Sequence, residues 1–325
     1  SPLASATALK SYTGTYNMIL AFRNDISGNL AYINYNDGTL SVTEIEDTLE
    51  VYHPDISPDG KHVAFCTRFE GIAGESRLYV RDLNANGSNL VKLDVPSAAI
   101  PRWRVVNGDT VIVYVTDAGN NKDETAFAAT STWQVKFANG QFGVPEKLFD
   151  GAYHGGVSKD NLFAISSSPL LRARLSDGQS RNDVVWYNGE QACNVSLAND
   201  GSKRVSFLDF GGKTGKEFVG KSYGTHERLL ITDSTGRLIK AIASPEGYSF
   251  DHAEWAMNYK GAHADDGYIV ATLANANGAH TKIVLVNVAD GSIVNLVEGD
   301  VLWHPQIWQQ KIYVPESSEL DPDSA

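Results

Sequence analysis

The chain has 325 residues, of which 42% are hydrophobic and 10% aromatic, enough to bury a large core without disulfide bonds or structural metal. Its 27 basic and 39 acidic residues give a formal net charge of −12. That charge opposes a phosphate backbone or an anionic lipid surface, so nucleic-acid and membrane binding are excluded as primary roles. No apolar run approaches the roughly 18 to 20 residues that span a bilayer.

The two ends differ in composition from the rest of the chain. Residues 1–13 and 315–325 are small, polar and proline-bearing, as linkers are. We therefore predict a single domain over residues 1–325 with linker-like tails. We expect it to belong to a larger exported protein that is periplasmic, extracellular or held at the bacterial cell surface.

The chain has two cysteines, Cys66 and Cys193. Two are too few for a disulfide scaffold or a cysteine-based zinc site. Both lie in apolar, strand-like segments, which favours two buried free thiols. A single bridge between them stays open at this point.

The apolar pattern has a period of two, which predicts strands rather than helices. The clearest predicted strands, in chain order, cover 18–22, 62–66, 78–80, 110–115 and 282–286. Asp-Gly and Asn-Gly pairs separate many of the strands and favour tight hairpin turns. No segment has the pattern of a long amphipathic helix, so an all-β fold of consecutive hairpins is predicted.

A degenerate repeat runs through the chain. Its clearest copy is the HPDISPDGK string at 53–61, and we place the start of each copy at an opening position. The opening positions are His53, Ile100, His154, Asn194, His252 and His304. Each interval is long enough for four strands and their turns, which is typical of a β-propeller with six blades.

The ends of the chain are predicted to share one blade. The first complete copy places outer strands at 61–67, 77–82 and 90–94, whereas the copy that opens at His304 has only about twenty residues after it. Residues 17–47 offer three further strands. We predict that they close the ring with the C-terminal strand. The less favoured alternative has seven blades, or uses 311–314 as a strand and leaves the N-terminal hairpin partly surplus.

These residues resemble two groups of known proteins. The string at 53–60, with HVAF at 62–65 and LYVRDL at 78–83, resembles the WD40-like repeat of TolB-type propellers. Strings at 100–103 (IPRW), 117–121 (DAGNN), 207–212 (FLDFGG), 226–231 (HERLLI) and 250–255 (FDHAEW) resemble a paralogous family of large exported, often lipid-anchored proteins of Fibrobacter-type fibre-degrading gut bacteria. The second resemblance implies a polysaccharide-rich setting and no particular reaction.

Four of the eight histidines occupy opening positions. In a propeller these positions converge at one mouth of the central channel. We therefore predict His53, His154, His252 and His304 as ligands of a divalent metal (Mn, Ca or Zn), or His154 and His252 as general bases. The alternative, weighted equally, is that the repeat favours histidine for structural hydrogen bonds.

The metal hypothesis has a parallel in oligogalacturonate lyases. These are TolB-like propellers that hold a manganese-type ion with histidines at the channel mouth, so the resemblance implies elimination from a uronic acid. A base such as His154 or His252 would then work with a cation or with Arg102. Glycoside hydrolysis by the carboxylates Asp251 and Glu254 is less favoured, because strand alternation points them to opposite faces.

Four residues are candidates for substrate binding: Arg102, Asn194, Glu254 and Trp303. Of the tryptophans in the inner-strand segments, Trp103 and Trp255 share a repeat position and are predicted to pack between blades. Trp303, beside His304, is predicted to lie nearer the channel mouth.

These features predict a propeller module that recognises or processes plant or cell-envelope polysaccharide at a histidine-lined channel mouth. Two alternatives stay open. One is a metal-dependent enzyme at the same mouth, a lyase before a glycoside hydrolase. The other is a protein-interaction platform like TolB, in which the histidines are structural.

Overall fold

A computed structural model of the chain describes residues 2, 4, 5, 7–9, 17–36, 40–258 and 267–310. Within these ranges the strands form six sheets of at least four strands each, antiparallel except for one short pair in the closing blade, and arranged as the blades of a propeller. The predicted all-β, six-bladed architecture is confirmed. No described helix is long and apolar enough to cross a membrane.

The strands follow one another blade by blade. The closing blade begins with β1 (Asn17–Asn24), β2 (Asn29–Asn34) and β3 (Thr43–Ile45). The first complete blade has β4 (Tyr52–Ile56), β5 (His62–Cys66), β6 (Leu78–Asp82) and β7 (Val91–Lys92); the second has β8 (Ala99–Val106), β9 (Asp109–Val115), β10 (Ser131–Ala138), β11 (Gln141–Phe142) and β12 (Glu146–Asp150); the third has β13 (Gly156–Val157), β14 (Phe163–Ser166), β15 (Arg172–Ser176) and β16 (Arg181–Val185). The fourth has β17 (Ala192–Leu197), β18 (Val205–Asp209), β19 (Arg228–Thr232) and β20 (Leu238–Ala243), and the fifth has β21 (Ser249–Trp255), β23 (Tyr268–Ala274), β24 (His280–Asn287) and β25 (Ile293–Glu298). The short β22 (Met257–Asn258) and the last strand, β26 (Leu302–Gln310), belong to the closing blade.

The closing blade joins the two ends of the described chain. Strand β26 is its inner strand and pairs antiparallel with β1, with Leu20 opposite Ile307. Strand β22 lies on the other side of β26 and runs parallel to it. The predicted ring closure is therefore confirmed, and the N-terminal hairpin is not surplus. Residues 311–314 lie outside the described residues.

The core lies between neighbouring blades. The middle strands are buried on both faces because each sheet is covered by the next, and this explains continuous apolar runs such as β14 and β18. Large side chains fill the wedge between blades, among them the fully buried Phe65, Phe207 and Phe250. The stacked sheets hold the inner strands around one axis.

Two short α-helices and one 3-10 helix (Tyr187–Gly189) interrupt the strand pattern in the described part of residues 17–310. Helix α1 (Glu124–Ala128) begins after Asp123, whose side chain accepts the Ala126 N–H. Helix α2 (Lys213–Val219) ends at Gly220, whose φ of 74° is the left-handed conformation that favours glycine. Neither is a long amphipathic helix. The two cysteines are free: Cys66 is buried and Cys193 partly buried.

Candidate functional site

Each inner strand has its opening position at the same end of the channel, here called the histidine end. Five of the six opening residues adopt a left-handed backbone, with φ between 47° and 54°; His154 is the exception. All five lie in a bulge where the pairing register shifts. A bulge re-aims a side chain, at a cost of about 1–3 kcal/mol for a non-glycine residue. His and Asn tolerate this backbone better than a β-branched residue such as Ile100.

Three imidazoles meet at this end. The rings of His53 and His304 stack with centroids 3.9 Å apart, and His252 meets His304 edge-on at 4.4 Å. These residues come from three consecutive blades. The structure therefore brings together side chains that are up to 251 positions apart in the sequence.

His53, His154 and His304 form a backbone-bonded group. The His53 N–H donates to Nδ1 of His304 (3.1 Å), and Nε2 of His53 accepts the Glu70 N–H (3.1 Å). The His154 Nε2 lies 3.2 Å from the Ser167 carbonyl oxygen. Backbone partners therefore engage a ring nitrogen of each member, as the structural alternative for these histidines requires.

Glu70 covers part of the histidine end. Its carboxylate accepts the Ser167 hydroxyl (2.7 Å) and the Asn194 N–H (3.0 Å), and it lies 3.4 Å from Nε2 of His154. Glu70 belongs to the β5–β6 connection, whereas its partners belong to the third and fourth blades. The carboxylate thus bridges blades across the channel end and limits access to the backbone-bonded group.

Asp251, His252 and His280 form a carboxylate-centred group. Their ligand atoms all lie within 4.8 Å of one another, the spacing of a metal site. The Asp251 Oδ1 accepts the His252 N–H (2.9 Å) and the Asn194 side-chain amide (3.1 Å). Its Oδ2 faces the imidazoles, 2.7 Å from Nε2 of His280 and 3.7 Å from Nε2 of His252.

The His252 Nε2 is buried and has no hydrogen-bond partner among the described residues. A buried polar atom without a partner is costly unless a ligand or water satisfies it. The centroid of the adjacent Trp303 ring lies 4.9 Å from that of His252 and 5.6 Å from that of His280. The Trp303 indole N–H also has no hydrogen-bond partner among the described residues. The carboxylate-centred group thus has unused ligand capacity beside an aromatic wall.

Cys193 and His226 extend this group toward the fourth blade. The Cys193 Sγ lies 3.1 Å from Nε2 of His226, and Nδ1 of His226 lies 4.0 Å from Oδ1 of Asp251. Burial raises the pKa of the Cys193 thiol well above its ordinary value, so the thiol is protonated at neutral pH. The pair is therefore not an activated thiolate.

Protonation states at the histidine end suit a metal. Burial lowers the pKa of His252 despite the opposing effect of Asp251, so its ring is neutral at pH 7. Burial would raise the pKa of Asp251, but the surrounding imidazoles outweigh it and hold that pKa below its usual range. Neutral imidazole and ionised carboxylate are the ligand forms.

The residues two positions after the opening residues form a second layer of side chains across the channel. Arg102 and Glu254, from opposite blades, form a two-pronged ion pair with N···O distances of 2.7 and 3.1 Å. Arg102 also donates to the carbonyl oxygens of His154 and Val195. Asp55 in the same layer accepts the Trp103 N–H (2.8 Å), and burial raises its pKa to about 8.

The structure separates the predicted site residues into three sets. Of the four predicted metal ligands, His252 is the one that belongs to the carboxylate-centred group. Asn194 and Trp303 lie beside that group, whereas Arg102 and Glu254 engage each other below it. Trp103 and Trp255 are buried between blades, as predicted.

Sequence reasoning missed Glu70 and His280, and it considered Asp251 without placing it in a metal site. Asp251 directly precedes the opening residue His252, and this position was the sequence feature that could have indicated a ligand role for it. His280 starts β24, a neighbouring strand of the same blade, and Glu70 lies in a loop. Nothing in the repeat marks either of these two residues.

Comparisons with known proteins agree with the fold. No protein-family description and no curated protein matches the sequence. Among solved structures, Kuenenia stuttgartiensis hydrazine synthase aligns with 94% of this chain at a TM-score of 0.56 and 9% identity. A protein described as TolB from Agrobacterium tumefaciens aligns with 89% of this chain and 91% of its own length, at a TM-score of 0.50 and 13% identity.

A Mycobacterium tuberculosis puromycin-hydrolyzing peptidase aligns with 92% of this chain at a TM-score of 0.45 and 14% identity. This chain spans 45% of that peptidase and 48% of the hydrazine synthase chain. At these identities the two alignments with TM-scores of 0.50 or more show only the fold, a propeller similar to that of TolB. They assign no family and no activity.

Proposed function

We propose that this propeller binds a divalent transition metal at Asp251, His252 and His280 and uses it to recognise acidic polysaccharide. The observation that carries the proposal is the group's geometry: three ligand atoms within 4.8 Å of one another, one of them the unpartnered Nε2 of His252. Two imidazoles and one carboxylate suit Zn²⁺ or Mn²⁺. Ca²⁺ prefers a set made of oxygens and is disfavoured.

A bound cation would give this acidic protein an attachment point for an anionic ligand. The chain carries a net charge of −12, which repels a polyuronate. Three protein ligands leave coordination positions open for a carboxylate from the sugar. Trp303 beside the group offers an aromatic face on which a sugar ring can pack. An exported location in a polysaccharide-rich setting is part of this proposal and rests on the sequence resemblance.

Metal binding is tested by titrating chelator-treated protein with Zn²⁺, Mn²⁺ and Ca²⁺ in a calorimeter. We expect Asp251→Asn and His280→Ala to weaken Zn²⁺ or Mn²⁺ binding at least about 100-fold, because each removes one of three ligands. The matched control is His62→Ala, which removes a histidine that pairs with Asp82 away from this end. Equal affinities in all four proteins, or no binding by the unaltered one, would overturn the metal site.

Ligand recognition is tested by retention on polygalacturonate and on neutral xylan, with and without metal. Metal-dependent retention on polygalacturonate alone supports the proposal. Equal retention on both polymers after metal removal contradicts it.

A second candidate function is β-elimination at the same site. His226 favours it, because burial lowers the pKa of its imidazole and its Nδ1 lies 4.0 Å from the Asp251 carboxylate. A neutral imidazole can take the proton α to a uronate carboxylate while the C4–O bond breaks, and the leaving oxygen takes a proton from water. The metal would neutralise that carboxylate. Unsaturated products that absorb in the ultraviolet, lost in His226→Ala, would show the reaction.

A further inference from the structure

The channel opens at its opposite end into a second cavity, which none of the proposals above uses. Its enclosed volume is about 80 Å³, within about 750 Å³ of space that includes open solvent at the mouth. The walls are largely apolar and include Trp103, Val113, Val157, Leu197 and Trp255. Pockets with apolar walls and a few polar groups are typical of small-molecule sites.

Three buried side chains that line this cavity have polar atoms without a partner in the described part of the chain. They are Nε1 of Trp255, Nε of Arg104 and Oε1 of Gln306. The residues are only 5%, 8% and 5% exposed. The first two atoms are hydrogen-bond donors and the third is an acceptor. A ligand that satisfies them presents an acceptor to the donors and a hydroxyl or N–H to Gln306.

The charges around the cavity favour an anion. Arg104 uses its terminal nitrogens on neutral partners, the carbonyl oxygens of Val157 and Ser158 and the side chains of Gln134 and Asn161. Arg104 forms no salt bridge with a described carboxylate. Asp160 acts on it at longer range but is itself paired with Lys203, and Lys159 and Lys203 both line the cavity.

The two carboxyl groups that line the cavity do little to cancel this charge. Glu254 is neutralised by Arg102. Burial raises the pKa of Asp55 to about 8, so it is largely protonated at neutral pH. The cavity is thus locally basic inside an acidic protein.

We propose that this cavity binds a small organic anion with a flat apolar body, of the hydroxylated aromatic carboxylate class. Its ring lies among the apolar walls, near Trp103 and Trp255. Its carboxylate accepts from Trp255 and Arg104, and its hydroxyl donates to Gln306. This site is separate from the metal group, because the Arg102–Glu254 layer lies between the two.

The probe is 4-hydroxycinnamate, titrated calorimetrically into the whole chain, with the uncharged 4-hydroxycinnamyl alcohol as its partner. We expect saturable one-to-one binding of the acid and at least about tenfold weaker binding of the alcohol. Trp255→Phe keeps an aromatic side chain but removes the indole N–H, so it is expected to weaken binding of the acid about tenfold, the effect of one lost hydrogen bond to a charged group.

Two control variants make the outcome specific. Trp308→Phe makes the same change at a buried indole that donates to the Pro58 carbonyl oxygen outside the cavity, and it is expected to leave binding unchanged. His280→Ala, which tests the metal group, is also expected to leave it unchanged. No binding by the unaltered protein, equal affinity for acid and alcohol, or equal losses in Trp255→Phe and Trp308→Phe would each overturn the proposal.

Discussion

Two groups of histidines occupy the same end of the channel and differ in what holds their ring nitrogens. In the backbone-bonded group, His53, His154 and His304 engage main-chain N–H or C=O groups. In the carboxylate-centred group, His252 occupies the same repeat position as His53, yet its Nε2 has no partner in the described chain. The repeat position thus fixes the backbone and leaves the role of the side chain open.

The residues that precede three of the opening positions contribute to the carboxylate-centred group. They are Cys193, Asp251 and Trp303, in three consecutive blades, and all three side chains contact or border the carboxylate-centred group. Tyr52 and Tyr153 precede two members of the backbone-bonded group, whereas its third member, His304, follows Trp303. The repeat therefore sets the backbone at each opening position, and the side chain of the preceding residue varies from blade to blade.

The largest expected loss of stability follows a change in the Arg102–Glu254 layer, which lies directly below both groups of histidines. Glu254→Ala leaves the Arg102 guanidinium without its anion at a site where both side chains are about one-fifth exposed. We expect a loss of about 3–5 kcal/mol in the free energy of unfolding, measured by urea denaturation.

The matched control for this change is the double variant Arg102→Met with Glu254→Met. It removes both charges and is expected to be far more stable than Glu254→Ala. If Glu254→Ala unfolds at the same urea concentration as the unaltered protein, the ion pair does not support the two groups.

The second effect separates the groups directly. His304→Ala removes the acceptor of the His53 N–H and the stacked ring, with a loss of about 2–3 kcal/mol in stability. His304→Asn, the residue that the fourth blade carries at its opening position, should lose less because Asn tolerates left-handed backbone and can accept a hydrogen bond.

His280→Ala completes this second comparison. It is expected to remove metal affinity and to cost about 1 kcal/mol in the free energy of unfolding, because Asp251 loses the His280 partner but keeps the His252 N–H and the Asn194 amide. Equal stability losses in His304→Ala and His280→Ala would show that the two groups do not differ.

Sequence patterns predicted the frame well and the site incompletely, for a physical reason. Hairpin turns and the repeat are local signals, so the strand pattern, the blade count and the shared closing blade followed from them. The contacts of Asp251 with His280 and of Glu70 with Asn194 join residues 29 and 124 positions apart, and only the packing of blades sets those distances. The left-handed backbone of the opening residues could be predicted in part, because His and Asn, which stand at most of these positions, tolerate that conformation.

The third effect concerns Asp55 in the layer below the backbone-bonded group. Burial raises its pKa from 3.8 to about 8, so the folded protein binds a proton that the unfolded chain releases above about pH 4. Stability therefore falls between about pH 4 and 8, by up to about 1.4 kcal/mol per pH unit from this group. Asp55→Asn keeps the acceptor for the Trp103 N–H and removes this titration.

The check on Asp55 is a series of urea midpoints from pH 5 to pH 8 for the unaltered protein and Asp55→Asn. The advantage of the variant should grow as the pH rises. A difference that stays constant over this range would mean that Asp55 has an ordinary pKa and is ionised throughout.

The smallest expected effect is the acid dependence of the two histidine groups. Burial lowers the pKa of His53 well below 6.5, so the unfolded chain binds more protons below that pH and stability falls as the pH falls. His53→Asn should flatten this decline. His252→Asn should flatten it less, because Asp251 partly opposes the effect of burial on the pKa of His252. Unfolding between pH 6.5 and 5 with chelator present measures both slopes, and a larger change in His252→Asn would reverse the assignment of the two groups.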